Sequence, residues 1–114
     1  MMNGGMMYSQ RDIVLIPFPY SDLTGAKLRP ALIISNSTLK EDYICCLVTS
    51  KPTKDGIELS KNTFEKGTLP FASRVKTFRL FTINDRIIRK KLCSVTPVFH
   101  NKIVRSVNEY LSIE

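Results

Sequence analysis

Apolar residues fall along this chain in short, β-branched runs separated by turn-forming residues. Ile13-Val14-Leu15-Ile16 and Ala31-Leu32-Ile33-Ile34 are too short for helices and read as buried core strands. Between them, Pro17 to Arg29 contains Pro17, Pro19, Ser21, Asp22, Thr24 and Gly25, the residues of a long polar loop. Tyr43 to Thr49 predicts a third strand, stopped by Pro52 and the Lys54-Asp55-Gly56 turn signal. Ile57-Glu58-Leu59 alternates briefly as a short strand, and Ser60 to Gly67, polar except for Phe64, reads as a loop. Ser73 to Phe78 predicts a further strand, which Leu80-Phe81-Thr82-Ile83 continues past a bend. After a turn at Asn84-Asp85, Arg86 to Val95 predicts the last strand, with Arg89-Lys90-Lys91 exposed. Thr96-Pro97 supplies an N-cap and a proline at the first helical position. Phe99, Ile103, Val107 and Leu111 then recur at four-residue steps, the apolar face of a C-terminal helix. Short strands followed by one helix imply a mainly β fold, a small and partly open barrel.

Composition narrows this picture. With 114 residues, 43% hydrophobic and 24% charged, the chain suits one globular domain, expected over 11–114. The Met-rich residues 1–10 read as a disordered tail, or as an upstream extension with Met6 or Met7 the true start. No apolar run approaches the roughly 18 residues of a membrane span. The cysteines Cys45, Cys46 and Cys93 form no CxxC pair and cannot all pair. Cys45 and Cys46, in an apolar run, read as buried structural thiols, and a reduced cytoplasm fits the set best.

Charge adds a direction. Residues 1–73 hold 8 basic and 7 acidic side chains, whereas residues 74–114 hold 9 and 3, so nearly all of the net +7 lies in the C-terminal part. That asymmetry points to an acidic partner, nucleic acid or an acidic protein segment, unless it serves solubility alone.

Several motifs are similar to those of the PemK/MazF family, the endoribonuclease toxins of type II toxin–antitoxin systems. The resemblance rests on Asp12-Ile13-Val14-Leu15, Phe18-Pro19-Tyr20-Ser21-Asp22, Gly25 and Lys27-Leu28-Arg29-Pro30-Ala31. It extends through Val48-Thr49-Ser50, Leu80-Phe81-Thr82-Ile83, Ile88-Arg89-Lys90 and the closing helix. It implies an SH3-like small barrel of the PemK/CcdB toxin type, a homodimer, and an acidic cognate antitoxin as partner. Four positions depart from the family pattern: Arg11 and Cys93 stand where glycine is usual, Lys76 replaces an arginine, and Phe78 replaces an acid.

Cleavage of RNA by its own 2′-hydroxyl needs help with that proton, stabilisation of the phosphorane, and a proton for the leaving oxygen. A two-histidine mechanism is excluded because His100 is the sole histidine, and it falls on the helix as a structural or solvated residue. The acids are scattered without metal-ligand spacing, so no metal or cofactor is expected. Arginine and hydroxyls remain. Arg29 could grip the scissile phosphate bidentately, its alternative being a surface salt bridge, for instance to Asp22. Thr49 could orient groups by hydrogen bonding, its alternative being strand-end capping. The resemblance makes Arg29 and Thr49 the catalytic pair, acting without metal on single-stranded RNA. Phe18, Tyr20 and Ser21 are candidates for RNA contact through stacking or phosphate bonding, although Phe18 could equally end a core strand. The resemblance adds Lys27, Ser50, Ser73 and Lys76 to the RNA groove, whereas Arg74, Arg79, Arg86 and Arg89 read as a diffuse field attracting phosphates. Two rival readings are a non-catalytic nucleic-acid-binding barrel and a gyrase poison on the same fold. The second is disfavoured by the presence of Arg29 and Thr49.

Overall fold

The computed structural model describes residues 7–18 and 27–114. Among them, seven strands precede one helix: β1 (Asp12–Phe18), β2 (Lys27–Ile33), β3 (Asp42–Thr49), β4 (Ile57–Leu59), β5 (Phe64–Lys66), β6 (Ser73–Asn84), β7 (Lys90–Val95) and α1 (Pro97–Leu111). They pair antiparallel in the order β4-β6-β3-β2-β1-β7-β5, a nearly closed barrel. Its two edges are the three-residue strands β4 and β5, short enough to offer little for unwanted pairing.

The central strands are buried on both faces, which is why they read as unbroken apolar runs. Ile13, Leu32, Cys46 and Val48 face a core completed by Phe99, Ile103 and Val107 of α1. Their neighbours Val14, Ile16, Phe18, Ala31, Ile33, Cys45 and Leu47 point the other way into a second cluster with Tyr43 and Ile83. Cys45 and Cys46 thus belong to opposite cores. All three thiols are free and buried. Burial pushes those of Cys45 and Cys46 up to about 12 and that of Cys93 to about 11.

Helix α1 starts as its sequence predicts: the Thr96 hydroxyl accepts from the Phe99 N–H at 3.1 Å, with Pro97 at the first helical position. Phe99, Ile103 and Val107 are buried, but Leu111 is 68% exposed, so the apolar face runs off the barrel in its last turn. None of the helices among the described residues is long and apolar enough to cross a membrane.

Other elements differ from the sequence reading. β1 runs on to Phe18 and β2 begins at Lys27, which shortens the expected Pro17–Arg29 loop; residues 19–26 lie outside the described residues. The expected loop from Ser60 to Gly67 holds a 3-10 turn, Lys61–Thr63, and strand β5. β5 exists because Phe64 pairs with Val95 and packs on the core beneath α1, a tertiary effect that its local sequence does not signal. Arg86 and Ile87 belong to a second 3-10 turn, Asp85–Ile87, and the last strand starts only at Lys90. There the Asn84 side chain accepts from the Arg86 N–H, diverting the backbone from the ladder. Of the expected tail, residues 1–6 lie outside the described residues. Gln10 donates from its side chain to the Ile34 carbonyl at 2.8 Å, and the Ser9 N–H donates to Asp12 at 2.9 Å.

The bend expected in the 73–83 region is a large bulge within one strand. Leu47 of β3 pairs with Lys76 of β6, while the adjacent Cys46 pairs with Leu80. One step on β3 is therefore matched by four on β6, and Thr77, Phe78 and Arg79 are the excess.

Candidate active site

Strand register brings Arg29 and Thr49 together. Ala31 of β2 pairs with Leu47 of β3, and the same antiparallel register carried on by two residues sets Arg29 opposite Thr49. In strands, side chains two apart share a face, so both project on the side of Ala31 and Leu47. There they line an open groove with a volume of ≈ 290 Å³. Phe18 and Leu47 contribute its apolar floor, Val48 borders it between Leu47 and Thr49, and Lys51, Lys76 and Arg79 form its remaining walls. Among the described residues, four cations and no acidic residue line the cleft. A concave surface of this composition concentrates field lines and favours an anion.

The pair is prepared for polar contact. The Thr49 side chain is nearly buried, and its oxygen accepts from the Lys51 N–H at 3.1 Å. That bond fixes the hydroxyl at the strand end and leaves its proton to donate into the groove. One oxygen thus caps the strand end on a residue that lines the groove. The Arg29 side chain makes no ion pair or hydrogen bond among the described residues; its alternative partner Asp22 lies outside them.

The other candidates divide. Phe18 is 7% exposed and packs edge-on against Phe81 at 5.3 Å between ring centres, so it is a core residue whose ring also floors the groove. Lys76 stands on the groove wall. Lys27 and Ser50 are exposed at the ends of β2 and β3 but do not line the groove. Ser73 is buried, and its hydroxyl donates to the Phe71 carbonyl at 2.9 Å, away from the cleft. Tyr20 and Ser21 lie outside the described residues.

Sequence reasoning missed two of the cations. Lys51 follows Thr49 by two residues, a spacing that could have pointed to it. Arg79, read as part of a diffuse field, reaches the groove through the β6 bulge, whose size the expected bend did not signal. Arg74, from the same presumed field, is committed to structure: its guanidinium donates to the Asp55 and Gly56 carbonyls at 3.0 and 2.9 Å.

His100 takes no part in the groove. It is buried on α1 with Nδ1 unpartnered, and burial, reinforced by the Arg11 charge, pushes its pKa down. Among the described residues, no group of three or more His, Cys, Asp or Glu could hold a metal ion.

The sequence profile of the PemK-like, MazF-like toxins of type II toxin–antitoxin systems matches residues 9–111. The chain belongs to that family. Solved structures of MazF proteins share its fold. A mycobacterial endoribonuclease in complex with its cognate antitoxin superposes with a TM-score of 0.70 at 19% identity, over 96% of this chain and 97% of that one. MazF of the MazE–MazF complex from Deinococcus radiodurans gives 0.71 at 18% identity, over 94% and 97%. The Mycobacterium tuberculosis toxin MazF-mt6 gives 0.67 at 13% identity, over 91% and 99%. Comparison with curated protein sequences gives no significant match. The chain is thus a MazF-like toxin on a nearly closed barrel, with its groove at the β2–β3–β6 end of the sheet.

Proposed function

We propose that this MazF-like toxin is a metal-independent, sequence-specific endoribonuclease acting on single-stranded RNA, mRNA above all. The observation that carries the reading is the juxtaposition of Arg29 and Thr49 in a cation-lined groove. In the proposed reaction a 2′-oxygen forms a bond to the adjacent phosphorus, and the bond from phosphorus to the 5′-oxygen breaks. The 2′-hydroxyl loses its proton and the 5′-oxygen gains one, leaving a 2′,3′-cyclic phosphate and a 5′-hydroxyl. Arg29 provides a planar fork of donors for the phosphorane oxygens, where negative charge accumulates. A hydroxyl is a poor base at neutral pH, so Thr49 orients the 2′-hydroxyl or a phosphate oxygen rather than abstracting a proton. Lys51, Lys76 and Arg79 hold flanking phosphates.

The same groove suits an acidic, partly disordered antitoxin segment, which would block RNA by occupying the cations. Antitoxin complexes of the Mycobacterium and Deinococcus relatives support that part of the reading. A homodimer with two such grooves, working in the cytoplasm, completes it.

The test is incubation of a long single-stranded RNA with the wild type or Arg29→Ala, in EDTA. Discrete fragments with 5′-hydroxyl ends are expected from the wild type, and a loss of at least about 100-fold in Arg29→Ala, the scale of removing one transition-state donor. If both proteins bind RNA and neither cuts it, the chain is a binding barrel and the catalytic assignment is wrong.

A further inference from the structure

The β6 bulge carries more than Arg79. Lys76, on the groove wall, holds its ammonium 5.5 Å from the centre of the Phe78 ring. Phe78 in turn meets Tyr110 of α1 edge-to-face, with ring centres 6.0 Å apart. Both rings are open to solvent, Phe78 by 43% and Tyr110 by 61%. A bulge is a device that re-aims side chains beside a site. Here three excess residues turn an aromatic ring and a guanidinium outward at the point where the groove ends. The nearby Thr77 hydroxyl lies 2.7 Å from that of Ser106, which ties the bulge to α1 and fixes Phe78 relative to Tyr110.

We infer that Phe78 and Tyr110 form a base-stacking subsite continuous with the groove, which takes one nucleotide flanking the cut phosphate. This rests on the endoribonuclease reading above and deepens it. The chemistry of the patch matches one nucleotide of single-stranded RNA. Lys76 and Arg79 offer charge to its phosphate, and the exposed rings offer a π-face to its base. Aromatic platforms beside cationic grooves are how unpaired strands are held without base-edge hydrogen bonds. Phe78 stands where the family resemblance expects an acid, so the subsite replaces a repulsive group with a stacking one. The expected preference at that nucleotide is for the stronger-stacking purines, with tolerance between them.

The experiment scans a fluorescein-labelled single-stranded RNA containing a mapped cut site, with an abasic nucleotide placed at each flanking position in turn. Cleavage rates are measured, and affinities are measured on copies carrying a 2′-deoxy nucleotide at the cut. In the wild type one flanking position should lose about 5- to 100-fold on becoming abasic, the scale of one base–aromatic stack. Phe78→Ala should show that same loss on intact RNA and no further loss on the abasic copy. Phe78→Trp should restore the sensitivity, and Phe78→Leu, which keeps apolar bulk if Phe78→Ala misfolds, should not.

The outcomes separate the two readings. If the wild type cuts and Phe78→Leu keeps the wild-type abasic profile, the subsite is overturned while the endoribonuclease stands. The same holds if Phe78→Ala only dissociates a dimer, which would assign the rings to a second copy of the chain. If the wild type neither binds nor cuts RNA, both readings fall together.

Discussion

Arg11 shows how one residue can hold a conformation that its type disfavours. It has φ +82, the left-handed region, at a position where the family resemblance expects glycine. A side chain there costs about 1–3 kcal/mol. The backbone needs the conformation: the Arg11 N–H donates to the Ile33 carbonyl and its own carbonyl accepts from the Val95 N–H, both at 2.9 Å. Its side chain offsets the cost by donating to the Val95 carbonyl at 2.8 Å and pairing with Glu65 of β5 at 3.2 Å. The ion pair is partly exposed and contributes little. The charged hydrogen bond to the carbonyl is worth about 1.5–3 kcal/mol. Arg11→Ala keeps the strain and loses the clamp, so it should destabilise by about 2 kcal/mol. Arg11→Gly loses the clamp but relieves the strain, and should be about 1 kcal/mol more stable than Arg11→Ala. Urea unfolding of the three proteins checks the order; equal alanine and glycine variants would mean that the strain is absent.

At the scale of elements, the legible parts were those whose signal is local. Unbroken apolar runs in β1 to β3 announced strands buried on both faces, and Thr96-Pro97 announced the start of α1. Register made Arg29 and Thr49 neighbours, but it required knowing that Ala31 meets Leu47, which no single strand contains. β5 and the three-residue extent of the β6 bulge were illegible because each is created by its partner strand; the sequence showed only a bend there, and so missed Arg79 and the placement of Phe78. The edge strand β4 is set by one glycine. Gly56 has φ +90, and a Cβ there would lie 2.6 Å from the Val75 carbonyl oxygen, on the backbone of β6. Gly56→Ala therefore combines a strained conformation with a clash that no rotamer relieves, and should cost about 2–3 kcal/mol. The loss should start locally, with Ile57 to Leu59 losing amide-exchange protection before β3 does. Uniform loss across the sheet would show that β4 does not open separately from the rest.

For the whole molecule, the question is whether its net charge of +7 acts as a field or through the groove. Several cations are already engaged: Lys91 pairs with Asp12 at 3.2 Å, Arg11 with Glu65, and Arg74 with backbone carbonyls. Those in the groove, Arg29, Lys51, Lys76 and Arg79, face no acidic side chain among the described residues of its lining. Affinity for single strands falls with log salt by roughly 0.7 per phosphate neutralised. Four groove contacts then give a slope of about −3, whereas engagement of the full net charge would give about −5. Lys51→Ala or Arg79→Ala should each shorten the slope by about 0.7, and Arg105→Ala, on α1 away from the groove, should leave it unchanged. Titrating uncleavable 2′-deoxy-substituted RNA between 50 and about 300 mM salt reads all four proteins. Equal shortening by Arg105→Ala would mean that RNA senses the surface as a diffuse field, and that the groove cations have no special claim on phosphate. A shortening confined to Lys51 and Arg79 would tie binding to the residues around Arg29 and Thr49, because an RNA held by them must carry a phosphate past the pair.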